Sequence, residues 1–250
     1  MPTRAELQRV RDLHDRKGRM AQGRFLVQGP KLVEELLRSG MHVEAIYATD
    51  EVAKKTGRPD VVVLPQHELD RIGTLESGNT LVAVVRLPEP PPFRTPTGGE
   101  VALALDGVTD PGNLGTVIRV ADWFGIQQVW CGAGCTDPYG PKAVQASMGS
   151  ICRVHAGQVE LPQAVRDCAK AGIHVFLAEM EGEPLYSATL TRPALVVLGS
   201  ESHGISAEVR AAGGTALTIP RMGRAESLNV AMAASCICAE FARRTWGAQA

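Results

Sequence analysis

The sequence predicts an α/β protein in which a small α/β domain precedes a mostly parallel sheet with helices on both faces. Short β-branched strands alternate with helices along the chain, as in folds built from βα units. The strands after residue 100 are continuous apolar runs, which is typical of strands buried on both faces. A proline-rich stretch divides the chain. We therefore expect domains at 1–87 and 101–250, joined by a linker at 88–100.

The first part contains predicted strands and one clear amphipathic helix. The helix, PKLVEELLRSG (30–40), begins at a proline and ends at a glycine, which is the usual asymmetry of helix termini. The predicted strands are FLVQG (25–29), VEAIYAT (43–49), VVVLP (61–65) and TLVAVVRL (80–87).

The second part repeats strand and helix at the spacing of a βα fold. Its predicted strands cover 101–107, 129–134, 173–179, 194–201 and 215–220. Its predicted helices cover 113–125, 161–172 and 226–246. Because parallel strands share one carboxyl edge, where ligands of open α/β sheets bind, the loops after these strands are the places to look for a site.

Composition limits the class of protein. The formal net charge of −1 gives no global basic signature, so any nucleic-acid binding must come from local patches. No run approaches the roughly 18 apolar residues of a membrane span, and the N-terminus lacks the apolar core of a signal peptide. The cysteines do not follow the spacing of a zinc site. We expect a cytoplasmic protein with reduced, mostly buried thiols, no metal and no membrane partner.

The first strand-end loop belongs to LDGVTDPGNLGTVIRVADWFG (105–125). Asn113 opens the predicted helix and is a good N-cap residue, which by itself would explain it. Arg119 is surrounded by apolar residues in the sequence. Its guanidinium must therefore reach solvent, pair with a carboxylate or bind an anionic ligand. We expect a functional role for Arg119, because it lies within two turns of the loop.

The second loop belongs to LVVLGSESHGIS (195–206). Gly199 and Gly204 allow a ligand to approach the backbone closely. Glu201 is a lone carboxylate beside them, and the alternative for it is a simple placement in the first turn of a helix, where the dipole favours acids.

The third loop belongs to IPRMGRAESLNVAMAASC (219–236). Ser227 can cap the last helix. Asn229 would then lie inside the first turn, where asparagine is a poor helix former. Capping explains Ser227 and leaves Asn229 unexplained, so we expect a ligand site here.

Together the three loops resemble the three motifs of the SpoU (TrmH-like) branch of the SPOUT RNA methyltransferases. The matching segments are DGVTDPGNLGTVIR, VVLGSESHGIS and IPRMGRAESLNVAMAAS, in the family's order. KAVQASMGSICRV (142–154) also resembles a family segment between the first two motifs. Residues 1–87 are similar to the L30e-like substrate-binding domain that precedes many of these enzymes.

The resemblance implies an enzyme that uses S-adenosylmethionine to methylate a ribose 2′-hydroxyl of RNA. It also implies a deep trefoil knot in the C-terminal domain, which ordinary topology rules would not predict, and a homodimer formed through that domain. Ribosomal RNA of the 23S type is the expected substrate, because the two-domain layout resembles members that act on ribosomal RNA. Transfer RNA is the second choice.

The resemblance also implies roles for individual residues. An arginine side chain stays protonated in proteins, so we expect Arg119 to bind the ribose-phosphate and make the hydroxyl more acidic rather than to act as a base. The implied catalytic set is Arg119, Asn113, Glu201, Ser227 and Asn229. The cofactor is expected to bind backbone groups around Leu198, Gly199, Ile219, Pro220 and Leu228.

A basic run at the N-terminus is the predicted RNA-binding surface. Phosphate contacts supply affinity without sequence information, and such a run suits them. The alternative is a solvated helix face with no ligand. The residues predicted to contact RNA are Arg9, Arg11, Arg16, Lys17, Arg19, Arg24 and Lys142.

Two other functions are compatible with an α/β chain. A nucleotide-dependent oxidoreductase is disfavoured, because GAGCTDPYG (132–140) begins like a dinucleotide fingerprint but lacks its third glycine. The other alternative is a catalytically decayed knotted dimer that acts as an RNA-binding assembly factor. The intact set of motif residues argues against decay.

Overall fold

The computed structural model describes residues 2–75, 78–89 and 94–247, without the side chains of residues 246 and 247. Residues 90–93 of the predicted linker lie outside the described residues, and so do residues 248–250 of the predicted C-terminal domain.

The N-terminal part has more helices than the sequence pattern indicated. Short polar helices lie before β1 and around β3, where apolar periodicity is weak. The helices are α1 (Arg4–Arg11), α2 (Arg16–Gln22), α3 (Pro30–Arg38), α4 (Asp50–Thr56) and α5 (Gln66–Ile72), with one turn of 3-10 helix at Asp12–His14. The strands are β1 (Arg24–Gln28), β2 (Val43–Ala48), β3 (Val61–Val63) and β4 (Leu81–Arg86).

The N-terminal strands form a sheet in the order β1-β4-β2-β3. β4 runs antiparallel to both of its neighbours, and β2 and β3 are parallel. Successive side chains of β4 point to opposite faces. Leu81 and Ala83 pack on the same side as α3, whereas Val82 and Val84 pack on the side of α1 and α5. The sheet is therefore covered by helices on both faces.

The C-terminal part follows the predicted βα order. It also contains α7, β7 and α9, which the sequence pattern did not indicate because they are short and only partly apolar. The elements are β5 (Val101–Asp106), α6 (Pro111–Trp123), β6 (Gln128–Cys131), α7 (Pro141–Ala146), β7 (His155–Gln158), α8 (Leu161–Lys170), β8 (His174–Pro184), β9 (Ala194–Gly199), α9 (Ala207–Ala212), β10 (Thr215–Thr218) and α10 (Val230–Gly247), with a 3-10 turn at Ser150–Cys152.

The C-terminal strands form a six-stranded sheet in the order β10-β8-β9-β5-β6-β7. Every neighbouring pair is parallel. In β5, Leu103 and Leu105 are buried on one face, and Ala102 and Ala104 are buried on the other. The two-sided burial confirms the α/β sheet predicted from continuous apolar runs. The trefoil knot stays a prediction.

Within the described residues, two ion pairs join the N-terminal part to the C-terminal part, and Arg16 also donates a hydrogen bond to Gln158 Oε1 at 2.7 Å. The side chain of Arg19 forms an ion pair with Asp137 at 2.6 Å, and Arg153 forms one with Glu35 at 2.7 Å. The Phe25 and Tyr139 rings lie beside the first pair, with 5.0 Å between their centroids. The hydrophobic cluster around Phe25 continues into the core under the parallel sheet.

Arg153 also organises the C-terminal side of this contact. Its guanidinium donates to Asp122 at the end of α6, which accepts a further bond from the Ser150 hydroxyl at 2.7 Å. Partial burial raises the pKa of Asp122, but these hydrogen bonds lower it by more, so it lies below its usual value. The ion pairs with Asp122 and Glu35 outweigh burial and raise the pKa of Arg153.

The starts of two helices differ from the prediction. Asp110, not Asn113, caps α6, because its carboxylate accepts a bond from the Asn113 backbone N–H at 2.7 Å. α10 begins at Val230 rather than at residue 226. Asn229, not Ser227, caps it, and its Oδ1 accepts from the Ala231 N–H at 2.9 Å. Asparagine and serine are equally good caps, so residue type alone could not separate them.

Composition led to two expectations on which the structure bears, one about the cysteines and one about membrane-spanning segments. The six cysteines are free, and four of them are buried. Within the described ranges, no helix combines the length and apolar character needed to cross a membrane.

Candidate active site

A cleft of about 800 Å³ lies at the carboxyl edge of the parallel sheet. Its walls come from the ends of β8, β9 and β10, which are neighbours in the sheet, and from the loop at 219–228. A volume of this size is in the usual range of about 300–1,000 Å³ for small-molecule sites. The place agrees with the general rule that open α/β sheets bind ligands at this edge.

The predicted cofactor residues come together in this cleft. Leu198 and Gly199 reach it from the end of β9, and the others reach it from the loop that follows β10. The loop residues 220–229 are all exposed, so the cleft is open to solvent on that side. All five predicted cofactor residues are part of its lining: Leu198, Gly199, Ile219, Pro220 and Leu228.

A tight turn between β9 and α9 explains the glycines of the second motif. Ser200 and Gly204 pair through two backbone hydrogen bonds of 2.9 and 3.1 Å. A Cβ at Gly199 would lie 2.1 Å from the carbonyl carbon of Gly204, so only glycine fits. Gly204 has a φ of +66°, which is also favourable to glycine. Gly199 therefore makes room for the chain's own turn, and its approach to a ligand stays a prediction.

The same turn presents Glu201 to two asparagines from the other motifs. Glu201 Oε1 accepts from Asn113 Nδ2 at 2.5 Å and from Asn229 Nδ2 at 3.0 Å. Asn229 Nδ2 also donates to Asn113 Oδ1 at 2.8 Å. We call these three side chains the amide–carboxylate cluster. Within the described ranges, Glu201 Oε2 accepts no hydrogen bond, so one oxygen of the carboxylate is left for a ligand.

Two other predicted catalytic residues lie outside the amide–carboxylate cluster. Ser227 lines the cleft and, in the described part of the chain, makes no hydrogen bond. Arg119 is exposed on α6 and does not line the cleft. Six residues of helix place it about 9 Å beyond Asn113 and rotated by about 120°. Arg119 therefore points away from the face of α6 that carries Asn113.

Charged residues that the motifs did not reveal also line the cleft. Glu179 and Glu181 lie two residues apart on β8, and both line the cleft. Glu179 forms an ion pair with Arg210, which is part of the same wall. Glu181 has no ion pair within the described residues. In the sequence, the alternating acidic residues of AEMEGEP (178–184) could have indicated these cleft residues.

The predicted RNA-binding residues separate into three groups. Arg19 is only 4% exposed, and its guanidinium donates to Asp137 and to the carbonyls of Leu13 and His14. The prediction for Arg19 is therefore wrong, because a buried guanidinium whose three nitrogens all donate to the protein cannot reach a phosphate. Arg24 is partly exposed and paired with Glu44. The exposed residues are Arg9, Arg11, Arg16, Lys17 and Lys142.

Comparison with known proteins identifies the family. Residues 100–239 match the SpoU rRNA Methylase family. The chain belongs to this family. Residues 5–83 of this SpoU-family protein match the MRM3-like substrate binding domain, which agrees with the resemblance of the N-terminal part.

Individual relatives are similar over nearly the whole chain. The protein is 31% identical to the 23S rRNA (guanosine(2553)-2′-O)-methyltransferase RlmP of Bacillus subtilis, over 93% of this chain and 95% of that protein. A TrmH-family structure from Porphyromonas gingivalis is 40% identical, with a TM-score of 0.88 and coverage of 98% and 99%. The SpoU methyltransferase AviRb of Streptomyces viridochromogenes, solved with AdoMet, is 27% identical, with a TM-score of 0.86 and coverage of 98% and 99%.

Proposed function

We propose that this SpoU-family protein transfers a methyl group from S-adenosylmethionine to a ribose 2′-hydroxyl of RNA. The observation that carries the proposal is the amide–carboxylate cluster at the rim of a cleft lined by the predicted cofactor residues. Two similarities support it, since RlmP is named as a 23S rRNA 2′-O-methyltransferase and AviRb was solved with AdoMet. Ribosomal RNA is the proposed substrate, ahead of transfer RNA, and the cytoplasm is the proposed location.

The cleft suits the chemistry of this cofactor. Leu198, Ile219 and Leu228 offer apolar surface to an adenosyl group. Glu181 and Glu201 add negative charge, which favours a ligand that carries a positive sulfur and an ammonium group. When bound, the cofactor supplies an electrophilic methyl group.

The amide–carboxylate cluster positions the nucleophile in this proposal. The asparagine amides fix Glu201 through Oε1, and Oε2 then accepts a hydrogen bond from the ribose hydroxyl. Because the hydroxyl is already oriented when it is bound, it loses little further orientational freedom on reaching the transition state. The same oxygen can receive the hydroxyl proton as the bond to the methyl group forms.

A homodimer is the proposed active form. Arg119 does not line the cleft of its own chain, so a second copy would have to bring an arginine to the site. Trp123, one turn after Arg119, is 83% exposed, and Met232 on α10 is 56% exposed. α6 and α10 pack against each other, so these apolar side chains belong to one pair of helices that a partner could cover.

Methyl transfer from labelled S-adenosylmethionine tests the proposed function. The purified protein is incubated with ribosomal RNA or transfer RNA that lacks modifications, and ribose methylation is mapped in the product. We expect one methylated ribose in ribosomal RNA and loss of transfer with Glu201→Ala. Absence of both cofactor binding and transfer would contradict the proposal and favour the RNA-binding assembly factor.

A mixing experiment tests the dimer. Arg119→Ala and Asn229→Ala each reduce methyl transfer strongly. We expect a co-refolded or co-expressed mixture to regain about a quarter of wild-type activity, above that of either variant alone, because half of the randomly paired dimers hold one intact site. No recovery in a mixture that forms mixed dimers would contradict the contribution of Arg119 from the partner.

A further inference from the structure

A second cavity lies in the N-terminal part, in a groove between α1 and α5. Its volume is about 420 Å³. The groove is on the face of the sheet covered by α1 and α5, whereas the opposite face shares its core with the C-terminal part. Its lining includes Arg4, Leu7, Arg11, Leu64, Arg71 and Ile72.

Of the three arginines on α1, Arg4 and Arg11 line the groove. Within the described residues, neither Arg4 nor Arg11 has a carboxylate within ion-pair distance. By contrast, Arg38, Lys54 and Lys55 each pair with an acid one turn earlier in the same helix. Glu68 also lines the groove and pairs with Arg71, so along the groove it is the charges of Arg4 and Arg11 that lack an ion pair within the described residues.

Helical spacing directs these charges along one side of the groove. Arg4 and Arg11 are seven residues apart on α1, so they lie on the same face at a distance of about 10 Å. Leu7 lies between them on that face and is half buried. Across the groove, α5 contributes Arg71, whose only described acid partner is Glu68 at 3.3 Å.

The floor of the groove is apolar. Leu64 and Ile72 are buried at its base and belong to the core between the sheet and the two helices. An apolar floor with cationic edges matches a nucleotide, because the flat base can lie on the floor while the phosphates meet the arginines. Double-stranded RNA does not present its bases in this way.

We propose that this groove binds an unpaired nucleotide of the RNA substrate. The base lies over Leu7, beneath which Leu64 and Ile72 form the buried base of the groove, and the flanking phosphates contact Arg4 and Arg11. The inference rests on the proposed function for the identity of the RNA. The groove is built from other residues than the cleft, so its contribution is to the binding of RNA and not to the transfer of the methyl group.

The test compares two double variants of the full-length protein. Arg4→Ala/Arg11→Ala removes two positive charges from the groove, and Lys54→Ala/Lys55→Ala removes two exposed charges from α4 as the matched control. For the groove variant we expect KM for the RNA substrate to rise at least about tenfold, with kcat at saturating RNA within about twofold of wild type. The dissociation constant for S-adenosylmethionine should be unchanged in both variants.

Binding measurements add a readout that does not need catalysis. The probes are a single-stranded RNA oligonucleotide and the same sequence as a duplex. For the groove variant, the slope of log Kd against log salt for the single strand should fall by about 1.4, from two lost phosphate contacts. The preference of the wild type for the single strand should also disappear.

The outcomes separate this proposal from the proposed function. The groove proposal would be overturned if the groove variant kept the KM and salt slope of the wild type, or if the control variant lost as much. Either result could occur while the wild type still transferred methyl groups. A wild type that neither binds the cofactor nor transfers a methyl group would overturn the proposed function. The oligonucleotide measurements would still decide whether the groove binds RNA.

Discussion

Two polar contacts of this protein each join residues that lie more than 100 positions apart in the chain. One contact is enclosed and the other is open to solvent. Arg19 and Asp137 are 118 residues apart, and their ion pair is enclosed between the two parts. Asn113 and Asn229 are 116 residues apart, and they meet with Glu201 at the open rim of the cleft. In the first contact the Arg19 guanidinium is bonded to Asp137 and to backbone carbonyls. In the second, Glu201 Oε2 has no partner among the described residues.

The difference separates a structural use of polar groups from a functional one. A buried charge is costly unless its hydrogen bonds are complete, so the Arg19 contact must be closed to be stable. The amide–carboxylate cluster leaves one carboxylate oxygen without a partner among the described residues, at an exposed position where a ligand can bind. We therefore expect mutations of the closed contact to affect stability and mutations of the open cluster to affect catalysis.

The largest expected effect is on stability at the closed contact. Arg19→Ala leaves Asp137 without its partner, and removal of one member of a buried pair costs about 3–5 kcal/mol. We expect that loss in the free energy of unfolding measured with urea. Arg38→Ala, which removes an exposed ion pair within α3, is the control and should cost less than about 1 kcal/mol. Equal losses of unfolding free energy in the two variants would contradict the structural role of the closed contact.

The next effect is on catalysis. Arg119→Ala should retain S-adenosylmethionine binding and reduce methyl transfer by more than about 100-fold, the scale of a lost positioning or acid–base group. Arg166→Ala, another exposed arginine on a helix, is the control and should have near-normal turnover. Near-normal turnover of Arg119→Ala would remove Arg119 from the site.

Substitution of Asn229 is expected to reduce both stability and catalysis, each by a smaller amount. Asn229→Ala removes the N-cap of α10, which costs about 1 kcal/mol of folding free energy. It also removes one of the two amides that hold Glu201, so methyl transfer should fall about tenfold or more. Unfolding and transfer measured on the same preparation check both numbers. A variant that lost stability without losing activity would make Asn229 a cap and nothing else.

A pH-dependent effect is expected beside the interface. The pKa of Asp122 is lowered in the folded protein, so its stabilising contribution is present above the unfolded value of about 4 and is lost as the pH falls through the folded pKa. Asp122→Asn should reduce the free energy of unfolding by about 1 kcal/mol at pH 7. The difference from wild type should shrink below about pH 4. A constant difference over this range would contradict the assignment.

The smallest effect is expected at Ser227. Because Asn229 and not Ser227 caps α10, Ser227→Ala should change the free energy of unfolding by less than about 0.5 kcal/mol. A loss near 1 kcal/mol, the usual cost of a removed cap, would restore the cap predicted from the sequence. Activity measured on the same variant reports whether the hydroxyl in the cleft is used.

Much of the fold was predictable because it depends on local patterns. Alternating faces in β5 and the continuous apolar runs required a sheet covered on both sides. Short polar segments such as β7 and α9 carry too little apolar pattern to be predicted, and neighbouring elements decide their structure. The exact helix starts at Asp110 and Asn229 depended on which side chain reached the free N–H groups, which is a tertiary question.

The sequence by itself determined the fold class, the three strand-end loops and the residue types available for chemistry. Only the tertiary structure decided how those residues are used. It brought Asn113, Glu201 and Asn229 into one hydrogen-bonded cluster and turned Arg119 away from the cleft of its own chain. It also buried Arg19, which belongs to the N-terminal basic run in the sequence, against Asp137. The reason is physical, since a local pattern records a side chain's type and periodicity, whereas its partners come from parts of the chain a hundred residues away.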